Sequence, residues 1–217
     1  MSKKKPEVNA ASFIKSYWNY YLEIEQQLYE IRRYIDLSSK NNNTFSMELL
    51  KLLHSICSEL DVVAKVIDSH IYSDFDGGNM NKWDYYLQQA FPHLSDLIVL
   101  FNDDYEIQPW KCCKHIKKET EYTDNGKKKT KISYNLDEKC KTPQWWNAYN
   151  KSKHERTSPY NNNSINYHRA NLKNVVCALS ALFIVESLFK DYLFNEEKVR
   201  IEYTDSKFFS FVTENLP

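Results

Sequence analysis

The chain has 217 residues, 42% of them hydrophobic and 15% aromatic, which is enough to bury one real core. It has only three glycines. That excludes a Gly-rich phosphate loop and disfavours a sheet-rich fold, whose turns and bulges call on glycine. The formal net charge is zero, yet residues 111–156 carry 13 basic and 6 acidic side chains, against 16 and 23 in the rest, so a basic strip is set in an acidic chain.

Residues 1–6 are a short basic tail with no apolar stretch behind it, which does not fit a signal peptide. A first helix is expected over residues 10–37, with Phe13, Tyr17, Tyr20, Ile24, Leu28, Ile31 and Ile35 on one face. After a polar break, Ser46 is placed to cap a second helix striped by Leu49, Leu53, Ile56, Leu60, Val63 and Ile67. Two such helices joined by a short link make an antiparallel hairpin. His54 and His70 lie on the second helix without evident partners and read as structural or surface residues.

Residues 81–91 and 94–101 read as two shorter helices, reset by Pro92 in the first turn of the second. Then the character changes. Residues 115–123 and 127–134 flank Asp124, Asn125 and Gly126, a tight-turn signal, and Thr130, Ile132 and Tyr134 alternate. This predicts a β-hairpin whose lysines keep an exposed edge soluble. Helical pattern resumes near Pro143 and runs to Arg156. A Ser/Asn/Pro-rich loop follows, then a last long helix over residues 167–194, apolar nearly all round and central. Its apolar run, residues 175–185, is too short to span a bilayer. Val199, Ile201 and Tyr203 alternate as a possible strand.

The architecture expected is mainly α: an up-and-down helical bundle in one domain over residues 1–217, with a basic β-hairpin inserted at about residues 105–140. The odd count of five cysteines points to reduced, intracellular thiols and a cytoplasmic protein with no membrane contact. Cys112, Cys113, His115 and Cys140 can be drawn as a metal site, but adjacent cysteines do not match the usual zinc spacing, so no metal and no cofactor is expected.

Residues 145–156 are the candidate working segment. On a helix, Asn150 and His154 stand one turn apart and face the same way, and Lys151 neighbours His154. Lys153 and Arg156 pair along the adjoining edge, and Trp145, Trp146 and Tyr149 anchor the turn. An imidazole that moves a proton near neutral pH, an amide and several fixed cations suit a phosphodiester. In RNA the 2′-hydroxyl is an internal nucleophile, so this chemistry needs no metal. His168 and Arg169, early in the expected last helix, form a secondary pair facing the same cleft. The simpler alternative is that a histidine beside lysines ends a helix as a surface or capping residue.

Trp146, Tyr149, Asn150, Lys151, Lys153 and His154, followed by Ala170, Asn171 and Leu172 before a Leu-rich helix, resemble a stretch of HEPN-type proteins. These are small helical domains frequent in prokaryotic toxin–antitoxin and antiphage systems. Many are metal-independent endoribonucleases with an Arg, a polar residue, three variable residues and a His. The resemblance implies His154 as the His and Asn150 as the polar residue. Tyr149 stands where the phosphate-contacting Arg is expected; Lys151, Lys153 and Arg156 are the cations on hand to substitute, although lysine offers a point charge in place of a fork. It also implies a homodimer or pairing with a partner protein. The expectation is therefore a ribonuclease with His154, Asn150, Lys151 and Lys153 as its chemical groups, and Arg156, Tyr149, Trp146, His168 and Arg169 binding RNA or a nucleotide. The alternatives are a module that binds without cleaving and a purely structural or dimerising bundle.

Overall fold

The N-terminal helix is built in three pieces: α1 (Ala10–Phe13), a π-helical turn (Ile14–Trp18) and α2 (Asn19–Ile31). Asn9 caps it by accepting from the Ser12 backbone amide. The wider π turn slips the buried stripe by one residue. Phe13 is buried, but thereafter Ile14, Trp18, Tyr21, Ile24 and Leu28 face inward, and Tyr20 is left outside. The helix stops at Ile31 rather than residue 37, and Tyr34 is 88% exposed. The computed structural model describes residues 8–125, 127–161 and 163–212. The basic tail at residues 1–6 and Gly126 of the expected turn lie outside the described residues.

Helix α3 (Met47–Ile71) follows the sequence reading closely. Ser46 Oγ accepts from the Leu49 amide at 3.1 Å, and Leu49, Leu53, Ile56, Leu60, Val63 and Ile67 are all fully buried. Helix α4 (Met80–Ala90) packs on it. Helix α6 (Leu172–Glu197) runs through the centre against α3. It is long and apolar enough to cross a membrane, and 78% of its most apolar window is buried inside the protein, as in a core helix. Asn171 Oδ1 caps α6 by accepting from the Asn174 amide, which moves its start five residues beyond the expected one.

The expectation of a mainly α, up-and-down helical bundle is corrected. The chain is 52% helix and 18% strand, a mixed α/β fold with three sheets among the described residues. Residues 94–101 are not a helix: a single 3-10 turn (Leu94–Asp96) leads into β1 (Val99–Phe101). Strand β1 is the centre of an antiparallel sheet, flanked by β2 (Tyr105–Ile107) and by β7 (Phe209–Phe211) from the far end of the chain. Scarce glycine did not prevent this, because Asn102 and Asp103 take the left-handed turn positions at φ 53° and 54°, which short polar side chains tolerate. The C-terminal strand is β7 rather than one at residues 199–203. The buried Glu25 carboxylate of α2 ties this tail down, accepting from the Lys207 amide at 2.9 Å, from the Phe208 amide at 3.3 Å and from Ser206 Oγ.

The expected hairpin is present, as β3 (His115–Asp124) and β4 (Lys127–Leu136), in register from His115 opposite Leu136 to Asp124 opposite Lys127. Its base packs on α4. Beyond the base both faces are largely exposed, so it projects as a two-stranded ribbon.

Candidate functional site on helix α5

Helix α5 (Gln144–His154) begins after Pro143 and buries Trp145, Trp146, Ala148, Tyr149 and Ser152. The aromatic anchor is continuous: Trp83 of α4 meets Trp146 edge-on at 5.5 Å, Trp110 meets Trp145 at 5.4 Å, and Trp146 lies 5.3 Å from Tyr149. Trp145 Nε1 donates to the Pro109 carbonyl. Trp146 is therefore core, not a stacking surface for a base.

The helix ends at His154, and two of its last carbonyls find local donors. The Glu155 amide donates to the Lys151 carbonyl, and Arg156 Nε donates to the Ser152 carbonyl at 3.3 Å. The cations Lys151 and Lys153 sit in the last turn, where they complement the helix dipole. A small hairpin, β5 (Pro159–Asn161) and β6 (Ser164–Ile165), brings the chain back. Asn166 Nδ2 then donates to the Glu155 carbonyl and the Tyr167 amide to the Arg156 carbonyl.

Burial divides the candidate residues between two sides of α5. Asn147, Asn150, Lys151 and His154, spaced three or four apart, form the outward face. His154 is exposed and Asn150 half-buried, and neither side chain hydrogen-bonds to another described residue. Lys151 is held by Glu155, with Nζ 2.9 and 3.0 Å from the two carboxylate oxygens. Tyr149, Ser152, Lys153 and Arg156 turn towards α3. Tyr149 is only 8% exposed. Its hydroxyl accepts from Lys153 Nζ at 3.1 Å, and that ammonium also lies 5.1 Å from the ring centre.

This inner side has an imidazole of its own, His54 of α3, for which the sequence offers no evident partner. Its Nε2 lies 3.0 Å from Ser152 Oγ, and its ring meets Tyr149 edge-on at 5.4 Å. Ser152 Oγ donates to the Tyr149 carbonyl, so His54 Nε2–H is the donor to Ser152. Burial first, then the charges of Arg156 and Lys153, hold its imidazole below the ordinary histidine pKa. The two cations that keep this imidazole neutral also make its setting favourable to an anion. The available sequence signal was spacing: His54 and Asp61 stand two turns apart on the flank of the α3 stripe. Asp61 accepts from Trp83 Nε1 at 3.0 Å and pairs with Lys65 at 2.5 Å, and it adds to the raised pKa of Lys153 after the Tyr149 contacts.

The secondary pair is also corrected. His168 and Arg169 belong to a 3-10 turn (Asn166–Arg169) before α6, not to the last long helix. His168 stacks on Phe45 with ring centres 4.1 Å apart, and the Arg169 guanidinium lies 4.2 Å from the Tyr160 ring centre. Arg169 Nε is buried without a partner among the described residues. Neither side chain contacts His154 through a hydrogen bond, ion pair or ring stack among the described residues. The ribbon that carries Lys127, Lys128, Lys129 and Lys131 extends roughly 30 Å of strand from its base on α4 to its tip.

The fold and site together define a mixed α/β protein that presents one polar helix face and, behind it, a cationic histidine niche. No known family, curated protein or solved structure matches this chain.

Proposed function

We propose that the chain is a HEPN-like, metal-independent endoribonuclease working at the end of α5, in an RNA-processing, toxin or defence role in the cytoplasm. The observation that carries this reading is the pair Asn150 and His154, one turn apart on the outward face and unengaged by any described side chain. An enclosed, backbone-bonded His154 would rule this chemistry out, and His154 is exposed. In this reading His154 takes the 2′-hydroxyl proton as that oxygen bonds to phosphorus and gives it to the departing 5′-oxygen as the P–O5′ bond breaks, and Asn150 orients the substrate. Arg156, exposed just beyond the helix end on the side towards α3, keeps guanidinium N–H groups besides the Nε held by the Ser152 carbonyl, and in this reading they are the fork that reaches round to the phosphate. Lys151 and Lys153 supply field from their Glu155 and Tyr149 contacts. By resemblance, a homodimer or a partner protein completes the cleft.

A second reading is a module that binds RNA or a nucleotide without cleaving it. What favours it is Tyr149, which fills the expected Arg position and is packed inward, so that no cation projects there.

The test is RNA cleavage in EDTA by the wild type and by His154→Ala. Cleavage that falls about 10²- to 10⁴-fold in the variant supports the nuclease. No wild-type cleavage of structured or unstructured RNA, with retained salt-sensitive binding, supports the binding module.

A further inference from the structure

At the base of the ribbon three metal-ligating groups converge inside the protein. Asp84 comes from α4, Cys113 from the segment before β3 and His115 from its first residue. All three are buried, and their donor atoms lie within 4.8 Å of one another. His115 Nδ1 is 2.6 Å from Asp84 Oδ2, and Cys113 Sγ is 3.8 Å from Asp84 Oδ1. Ligand atoms on a tetrahedral zinc ion sit roughly 3.3–3.8 Å apart, given zinc bonds near 2.0–2.3 Å.

We propose that Asp84, Cys113 and His115 form a structural site for a zinc-like divalent cation, with the neighbouring Cys140 thiol as the candidate fourth donor. The donor set, one thiolate, one imidazole and one carboxylate, suits a borderline-soft ion and not calcium or magnesium. The surroundings are those of a held site. Gln88 Nε2 donates to the Cys113 carbonyl at 2.7 Å and to Asp84 Oδ1 at 3.4 Å, fixing the loop and the carboxylate together. Cys140 follows β4, and the Lys141 amide beside it donates to the Cys112 carbonyl at 2.9 Å, closing the hairpin base.

On binding, the ion takes the place of the proton between Asp84 and His115. The imidazole then carries its proton on Nε2, and each coordinating thiol releases one proton to solvent. The result is a clamp joining α4 to both ends of the ribbon. A ribbon exposed on both faces has little packing of its own beyond its base, and a two-stranded hairpin alone is marginal. The inference is independent of the ribonuclease reading.

The experiment is a cobalt(II) titration of the full reduced chain, with thermal unfolding in zinc and in EDTA. The expected result is one ion per chain, a thiolate-to-cobalt absorption band with the visible bands of a tetrahedral site, and a melting temperature roughly 5–10 °C higher in saturating zinc. Cys113→Ser and the shape-preserving Asp84→Asn should each weaken binding at least tenfold, and Cys112→Ser should leave it intact. No binding at micromolar cobalt, together with a wild-type melting temperature indifferent to zinc and EDTA, overturns the proposal. So does a band that survives Cys113→Ser and disappears in Cys112→Ser, since that would mark an exposed thiol as the ligand.

Discussion

His54 and Ser152 join α3 to α5 through a 3.0 Å hydrogen bond between residues 98 apart in sequence. The same contact places an imidazole under the influence of Arg156 and Lys153 and lowers its pKa, with burial as the largest cause. Unfolded histidine titrates near pH 6.5. Below that pH the unfolded chain therefore binds a proton that folded His54 resists, and stability rises with pH through this window. Stability should fall as pH drops through about 6.5 and level off below the folded pKa. His54→Gln keeps an N–H donor for Ser152 but does not titrate. Urea unfolding from pH 5 to 7.5 should show a flatter pH slope in the variant, and an identical slope would remove His54 from the account.

Glu186 is buried in α6 with both carboxylate oxygens unpartnered among the described residues. Burial, reinforced by Glu59 and opposed by Lys190, holds its pKa well above the usual carboxylate range. The folded state keeps a proton that the unfolded state loses above about pH 4.3, so this group erodes stability as pH rises from there. Glu186→Gln should stabilise the protein at pH 8 by roughly 1–3 kcal/mol, and the gain should shrink towards pH 4. Calorimetric unfolding at the two pH values checks this; a destabilised variant at pH 8 would mean the carboxylate is satisfied in solution.

Tyr149 cannot simply be exchanged for the missing arginine. Its ring lies against Trp146 and His54, so Tyr149→Arg would bury a charge beside Lys153 and Arg156. A loss of about 2–4 kcal/mol is expected, with no gain in RNA affinity. Tighter RNA binding by a stably folded variant would show that the helix end rearranges more freely than its packing indicates.

The ribbon tip with its lysines stands a strand's length from the ribbon base on α4. Replacing Lys127, Lys128 and Lys129 together with alanine should change stability by no more than about 0.5 kcal/mol and leave RNA cleavage or binding at α5 within about twofold. Electrophoretic shift at two salt concentrations reads both affinity and its salt slope. A slope that falls with the triple substitution would bring the ribbon into the RNA surface.

Much of this protein is local and was legible as such. The α3 stripe and its Ser46 cap, the bounds of α5, and the arms of the β3–β4 hairpin follow from periodicity, capping and turn chemistry within a few residues. The outward face shared by Asn150 and His154 follows from helix geometry alone. Tertiary structure decided the rest. Three-residue strands carry too short a pattern to show period two, so the 94–101 segment reads as helix from sequence, and it is pairing, with β2 close by and with β7 over a hundred residues away, that makes β1 a strand. The π turn that redirects the first helix has no sequence period of its own. His54 met Ser152, and Asp84 met Cys113 and His115, because packing brought distant segments together where a side chain's partners are set by geometry and not by spacing along the chain.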